Sequence, residues 1–255
     1  MMSYQVAYLT IARREITRFL RIWGQTILPS VITMTLYFIV FGGLVGNRIG
    51  EMQGFKYIQY ITPGLVMMSV ITNSYTNVTS SFYLAKFQRN IEEILVAPVP
   101  SIIILLGFVT GGIVRGIAIG LVVILVSLFF THLSIQHFWL MISVIILSSA
   151  LFSIAGLINA LFANSFDDIM LVPTFVLTPL TYLGGVFYSV QLLPPLWQAL
   201  SRLNPILYMV NMFRYGMLGQ SDVDIVFSMS MLVLFVIIAF VSAWVMLDKG
   251  VGIRT

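Results

Sequence analysis

Six long apolar stretches, at about residues 25–45, 57–81, 102–130, 138–163, 169–188 and 226–247, divide the chain, and no segment between them is long enough to fold as a soluble domain. A helix needs about 20 predominantly apolar residues to cross the hydrocarbon core of a bilayer. Six such crossings consume most of the 255 residues. The expected fold is an all-α integral membrane protein with six transmembrane helices, residues 1–255 forming one transmembrane domain. Charged residues make up only 9% of the chain, against roughly a quarter in a soluble domain, so most side chains must face lipid or one another. There is no cysteine, which removes disulfides, thiolate metal sites and a cysteine nucleophile.

The net charge of +4 has a topological explanation. Arg13, Arg14, Arg18, Arg21, Lys86, Arg89, Lys249 and Arg254 fall on one side of the six-span path, while Arg48, Lys56, Arg202 and Arg214 fall on the other. Eight against four puts both termini in the cytoplasm by the positive-inside rule. Basic residues gathered beside crossings argue against nucleic acid as a partner.

Residues 1–24 are expected to form an amphipathic helix lying at the membrane interface. On a 3.6-residue period Leu9, Ala12, Ile16, Phe19, Leu20 and Trp23 share one face, Arg14, Arg18 and Arg21 point the other way toward anionic lipid, and Arg13 and Glu15 sit at the borders. A cleavable signal peptide fits less well, because the stretch before the first crossing is too long for a charged leader region. The connector at residues 86–98 reads as a second amphipathic helix, with Phe87, Ile91, Ile94 and Leu95 on one face and Lys86, Arg89, Asn90 and Glu93 opposite. Periodicity alone fits a solvated hairpin connector equally well. Glu92 and Glu93 do nothing to retain this connector inside, and they suit a basic groove on a partner. Residues 191–219 are too apolar for a free loop and, with Pro194, Pro195 and Pro205, too broken for a crossing. Short re-entrant helices in the outer leaflet satisfy both constraints.

Chemistry-bearing residues are few. A phosphate-cradling loop ends in Gly-Lys-Ser/Thr, but Lys56, Lys86 and Lys249 follow Phe55, Ala85 and Asp248, so if energy comes from ATP, another polypeptide supplies it. His132 and His137 have no carboxylate nearby, so a solvated-loop role is favoured over metal binding, and adjacent Asp167 and Asp168 read as a water-facing turn in preference to a paired acid/base site. Arg115 is the one formal charge deep in a span, at an insertion cost of roughly 2.5–3.5 kcal/mol. It either meets an anionic group on a translocation path or snorkels and bonds helix carbonyls. Asn73, Asn77 and Tyr182 complete the set of path candidates. Gly112, Gly116 and Gly120 form a small-residue stripe that predicts close helix packing.

The connector NIEEILVAPV (90–99) followed by a glycine-bearing span, and the run LTPLTYLGGVFYSVQLLPPLWQALSRLNPILYMVNMFRYG (177–216) with its Gly-Gly-Val-Phe, Leu-Pro-Pro and Leu-Asn-Pro landmarks, resemble the type-2 ABC-exporter permease family. With the six-span layout the resemblance covers nearly the whole chain. It implies a homodimer, each half resting on a separate cytoplasmic ATP-binding-cassette ATPase that carries the ATP and magnesium. It implies coupling through the N-terminal helix, carried here onto Arg14 and Arg18, and through the inner connector, carried onto Arg89, Glu92, Glu93 and Leu95. It also implies re-entrant helices over 194–219, with Pro194, Pro195, Asn204 and Pro205 in their turns. The implied setting is the bacterial inner membrane and the implied activity is export of an amphipathic or lipid-linked solute such as a glycolipid, polysaccharide or drug. The soluble insertions that read sugar end-groups in some relatives are missing. Two other classes compete. A membrane-embedded lipid-modifying enzyme needs clustered acids, histidines or a nucleophile, and an ion-coupled carrier usually needs intramembrane carboxylates; the six stretches supply neither.

Overall fold

The computed structural model describes residues 4–90 and 99–252. Their architecture is helical apart from one two-stranded ribbon, Glu51–Met52 (β1) antiparallel to Phe55–Lys56 (β2). Helix α1 spans Tyr4–Arg21. The first apolar stretch is an almost continuous helical run: α2 (Trp23–Thr26), α3 (Leu28–Tyr37), a π-helical segment Phe38–Val45 and α4 (Gly46–Ile49). After the ribbon come α5 (Tyr57–Phe87), α6 (Ser101–Ser127) and α7 (Phe138–Phe162). The fifth stretch is α8 (Phe166–Val172), a π-helical segment Pro173–Leu177 and α9 (Thr178–Leu183). Two shorter helices, α10 (Pro195–Arg202) and α11 (Pro205–Leu218), precede α12 (Ile225–Asp248).

Five runs are long and apolar enough to cross a bilayer: Trp23–Ile49, Ser101–Ser127, Phe138–Phe162, Phe166–Leu183 and Ile225–Asp248. The second expected crossing, α5, is not among them. It is the longest helix described, at 31 residues, about 46 Å at 1.5 Å per residue. Asn73, Asn77 and a series of serines and threonines dilute its apolar character, and most of its residues are buried by neighbouring helices.

Small residues set the packing of the centre. Gly112 faces Ser153 and Val78, Gly116 faces Ser149 and Ser74, and Gly120 faces Val70, so α6 lies in close contact with both α5 and α7. On α7, Gly156 lies against the Tyr75 carbonyl and Thr79. Lipid supplies no hydrophobic drive between helices, so such close approach, with its dispersion gain, holds a membrane bundle together. The glycine stripe thus performs the packing role its spacing predicts.

Several features differ from what the sequence alone indicates. The fifth helix ends at Leu183, not near 188, because Gly184 caps it and Gly185 turns the chain at φ +72°. Gly64 of α5, having no Cβ, admits the backbone of Val186 against it. The inner connector does not start a helix at Lys86: Lys86 and Phe87 finish α5, and Arg89 at φ +60° ends its run. Glu92, Glu93 and Leu95 lie outside the described residues. Helix α1 packs on the bundle through a face that coincides only in part with the apolar face read for the membrane interface. Ala7, Ile11, Ala12, Glu15 and Phe19 are buried, while Leu9, Leu20 and Trp23 face outward. Gly107 and Gly111 of α6 leave a groove that receives Ile11 and Glu15, and this contact selects the face. Arg214, counted only by its side of the six-span path, is 1% exposed.

Candidate functional site

One end of the bundle is defined by Lys86, whose Nζ donates to the Leu161 and Ala163 carbonyls at 2.8 Å each and so caps α7. Near it, Ser165 and Asp168 form a capping box that starts α8, which accounts for the paired aspartates as helix-start chemistry. Helix α1 packs beside this end, against α6. The ribbon, the loop at 128–137 and the helices α10 and α11 gather at the opposite end.

Between α1, α5 and α6 lies a buried polar cluster. Two residues four apart on α5, Asn73 and Asn77, turn their side-chain oxygens toward α6. There Arg115 Nη2 donates to Asn73 Oδ1 at 3.0 Å and its Nη1 to Asn77 Oδ1 at 3.4 Å. Arg18 comes from α1 to the same asparagine, its Nη2 donating to Asn77 Oδ1 at 2.9 Å and to the Asn77 carbonyl at 3.0 Å. Asn73 in turn donates to Ser30 Oγ of α3 and to the Ser69 carbonyl, both at 3.0 Å. Arg115 is 8% exposed. Of the two sequence readings of Arg115, carbonyl bonding is replaced by amide oxygens supplied from the neighbouring helix.

Glu15 is the one carboxylate in the cluster among the described residues, 1% exposed, with its Oε1 3.2 Å from Arg14 Nη2 and its Oε2 3.3 Å from Arg18 Nη2. Arg14 also lies over the Phe108 ring at 5.5 Å. Three guanidiniums therefore share one carboxylate and two amides. The nitrogens Arg18 Nε, Arg115 Nε and Asn77 Nδ2 are buried without a partner among the described residues. Sequence reasoning placed Glu15 at a border. Its spacing of four from both Ile11 and Phe19 was the signal that put it on their face.

Helix α5 has one open stripe. Met68, Thr72, Thr76, Ser80 and Leu84, each four residues apart, are the exposed or half-buried positions in the otherwise buried stretch from Tyr60 to Ala85, and the middle three carry hydroxyls. Thr76 Oγ1 and Ser80 Oγ donate to the carbonyls of Thr72 and Thr76 at 2.8 and 2.6 Å, which leaves their oxygens able to accept.

Tyr182 stands apart from this cluster. It is 44% exposed, stacks on Phe187 at 5.6 Å and accepts from Tyr188 through its carbonyl. The proline-rich connector is built by caps: Pro194 and Pro195 start α10, while Asn204 accepts from the Ile206 N–H at 3.0 Å and donates to the Leu180 carbonyl at 2.6 Å, with Pro205 opening α11. A second network missed in the sequence holds this end. Arg214 donates to the Gly185 carbonyl at 2.6 Å and covers the Tyr60 ring at 4.0 Å. Asp222 accepts from Ser189 Oγ at 2.8 Å, Gln53 Nε2 at 2.7 Å and the Val190 N–H at 3.2 Å. His137 stacks on Tyr215 at 4.9 Å, a packing role.

Five bilayer-length apolar helices packed around a buried arginine–asparagine cluster define a helical membrane protein, and the comparison with known families gives its kind. Residues 6–218 match the ABC-2 type transporter family, and the chain belongs to that family. It is similar to the inner membrane transport permease YadH of Escherichia coli (strain K12), 57% identical over 253 residues that cover 99% of this chain and 98% of the relative. It is also similar to nodulation protein J of Rhizobium meliloti (strain 1021), 25% identical with 91% and 89% covered, and to that of Rhizobium leguminosarum bv. viciae, 22% identical with 95% and 94% covered.

Proposed function

We propose that the chain is the membrane subunit of an ATP-driven exporter in a bacterial inner membrane, moving an amphipathic or lipid-linked solute outward. The observation that carries this reading is the family match over residues 6–218, together with similarity along nearly the full length to a transport permease. In this reading α5 is the sixth crossing, surrounded by the five more apolar helices, and both termini are cytoplasmic. A second copy completes the path. The open hydroxyl stripe of α5 supports that arrangement, since Thr72, Thr76 and Ser80 facing lipid alone would gain nothing from their polarity, whereas facing a partner copy they line a path between protomers.

ATP and magnesium belong to a partner ATPase in this scheme. Its docking surface includes α1 with Arg14 and Arg18, and the connector with Arg89, Glu92, Glu93 and Leu95. The physical mechanism is a population shift: ATP binding draws the two ATPases together, the elements resting on them move as rigid bodies, and the path changes the side to which it opens. Arg115, Asn73 and Asn77 sit where such a movement of α1 is felt through Arg18. The outer helices α10 and α11 are re-entrant and close the path at the far side.

The test is charge reversal in the connector. Glu92→Lys together with Glu93→Lys abolishes co-purification of the ATPase and transport while the permease still inserts in the membrane. Unchanged affinity for the ATPase in that variant removes the coupling assignment.

A further inference from the structure

At the end of the bundle that carries Lys86, a cleft of about 760 Å³ opens between α1 and the last turns of α5. Arg13, Arg14, Arg18 and Arg21 line it together with Gln88 and Asn90, with Glu15 as the one carboxylate among the described residues and Leu84 as an apolar wall. Both oxygens of Glu15 are taken by Arg14 and Arg18, so among the described residues neither Arg13 nor Arg21 has a carboxylate partner. Arg115, buried behind Asn77, adds a further positive charge to the same region without adding an acceptor. Its Nε and that of Arg18 are buried and unpartnered. Among the described residues the cluster therefore holds more cationic donors than it has acceptors, next to a cavity large enough for a head group.

We infer that this cleft binds a phosphate-bearing anion, held by the forked guanidiniums of Arg13, Arg14 and Arg21 with Arg18 behind them. Planar guanidiniums match the oxygens of a phosphate in bidentate fashion, and the surplus charge favours an anion over a zwitterion. Leu84, 37% exposed, and outward-facing Trp23, 60% exposed at the start of α2, put hydrocarbon beside the charged floor. A phosphodiester head group with its acyl chains alongside fits both surfaces. The inference does not depend on transport: head-group capture by α1 would hold for any membrane role.

The full-length chain, purified and incubated in mixed micelles of phosphatidylglycerol and phosphatidylcholine, is analysed by native mass spectrometry for retained lipid. Phosphatidylglycerol is retained in preference, and Arg13→Gln with Arg21→Gln lowers that retention by about tenfold or more, since each lost charge-assisted contact is worth roughly one factor of ten. Both side chains are exposed, so the variant keeps the fold. Arg48→Gln at the opposite end leaves retention unchanged. Inorganic pyrophosphate identifies the source: a rise in melting temperature in phosphatidylcholine micelles supports a soluble phosphate as ligand, and displacement of nothing, with the lipid preference intact, supports the bilayer head group. Equal retention of the two lipids with no effect of pyrophosphate overturns the inference. So does a double variant that keeps its lipid preference and instead loses the ATPase, which would make the cleft a protein-docking surface.

Discussion

Asn77 is the residue on which two guanidiniums converge, at 2.9 and 3.4 Å from one oxygen. Its removal leaves Arg18 and Arg115 short of an acceptor in a buried setting, where an unmet charged donor costs about 2 kcal/mol or more. Asn77→Leu, close in volume, is expected to lower the thermal midpoint of the detergent-purified protein. Asn77→Asp, which keeps the acceptor and adds compensating charge, matches or exceeds the parent. A role for Asn77 in packing alone would reverse that order, because leucine fills the space and aspartate adds a buried charge. At this scale the sequence was partly legible. Arg115 stood out as a charge within a span, and Asn73 and Asn77 as polar residues in another. That Arg18 from the N-terminal helix joins them was hidden, since the register of α1 along α6 is set by tertiary contact at Gly107 and Gly111. The burial of Arg214 was hidden for the same reason: its partners, Gly185 and Tyr60, lie 29 and 154 residues away in the chain.

Among the elements, α6 shows how a glycine stripe is used. A Cβ at Gly116 would press on the hydroxyls of both Ser149 and Ser74, so Gly116→Ala is expected to destabilise the protein by about 1–3 kcal/mol, the range for overpacking a filled interior. Gly24→Ala, where nothing lies within 4 Å, is expected to leave stability unchanged or raise it by up to about 1 kcal/mol, the helix-propensity difference between the two residues. Denaturant titration of both variants in the same detergent checks the contrast. The stripe was readable because spacing by four places residues on one helix face whatever packs there. The ends of elements were less readable. Gly184 and Gly185 stop the fifth helix five residues short of the predicted boundary, since hydropathy continues through Val186 and Phe187 while the backbone does not. Lys86 and Phe87 were read into the next helix because their amphipathic phase fits either side of the turn at Gln88 and Arg89. In α1 the face that packs on α6 was not readable, because it includes a buried glutamate while leucines stand on the side away from the bundle.

For the whole molecule, the account rests on polarity between two ends. One end has the arginines of α1, the Lys86 cap and the connector at 88–90; the other has the ribbon, α10 and α11. If the first end meets a cytoplasmic ATPase, the remaining properties follow together: outward export, coupling through α1 and the connector, and a path along the hydroxyl stripe of α5. Replacing Thr72, Thr76 and Ser80 together by valine or alanine is then expected to reduce ATP-driven transport while leaving association with the ATPase intact, measured by pull-down beside transport in proteoliposomes. Equal transport by parent and variant would take the stripe off the path. The chain contains no cysteine, so single cysteines report sidedness without background. The most direct measurement of the central claim is labelling of Gln88→Cys and Gln53→Cys in intact spheroplasts with a membrane-impermeant maleimide. Gln53→Cys is expected to react from outside and Gln88→Cys only after the membrane is opened. Labelling of Gln88→Cys in sealed cells would put the arginine-bearing end outside, away from any ATP, and contradict the account.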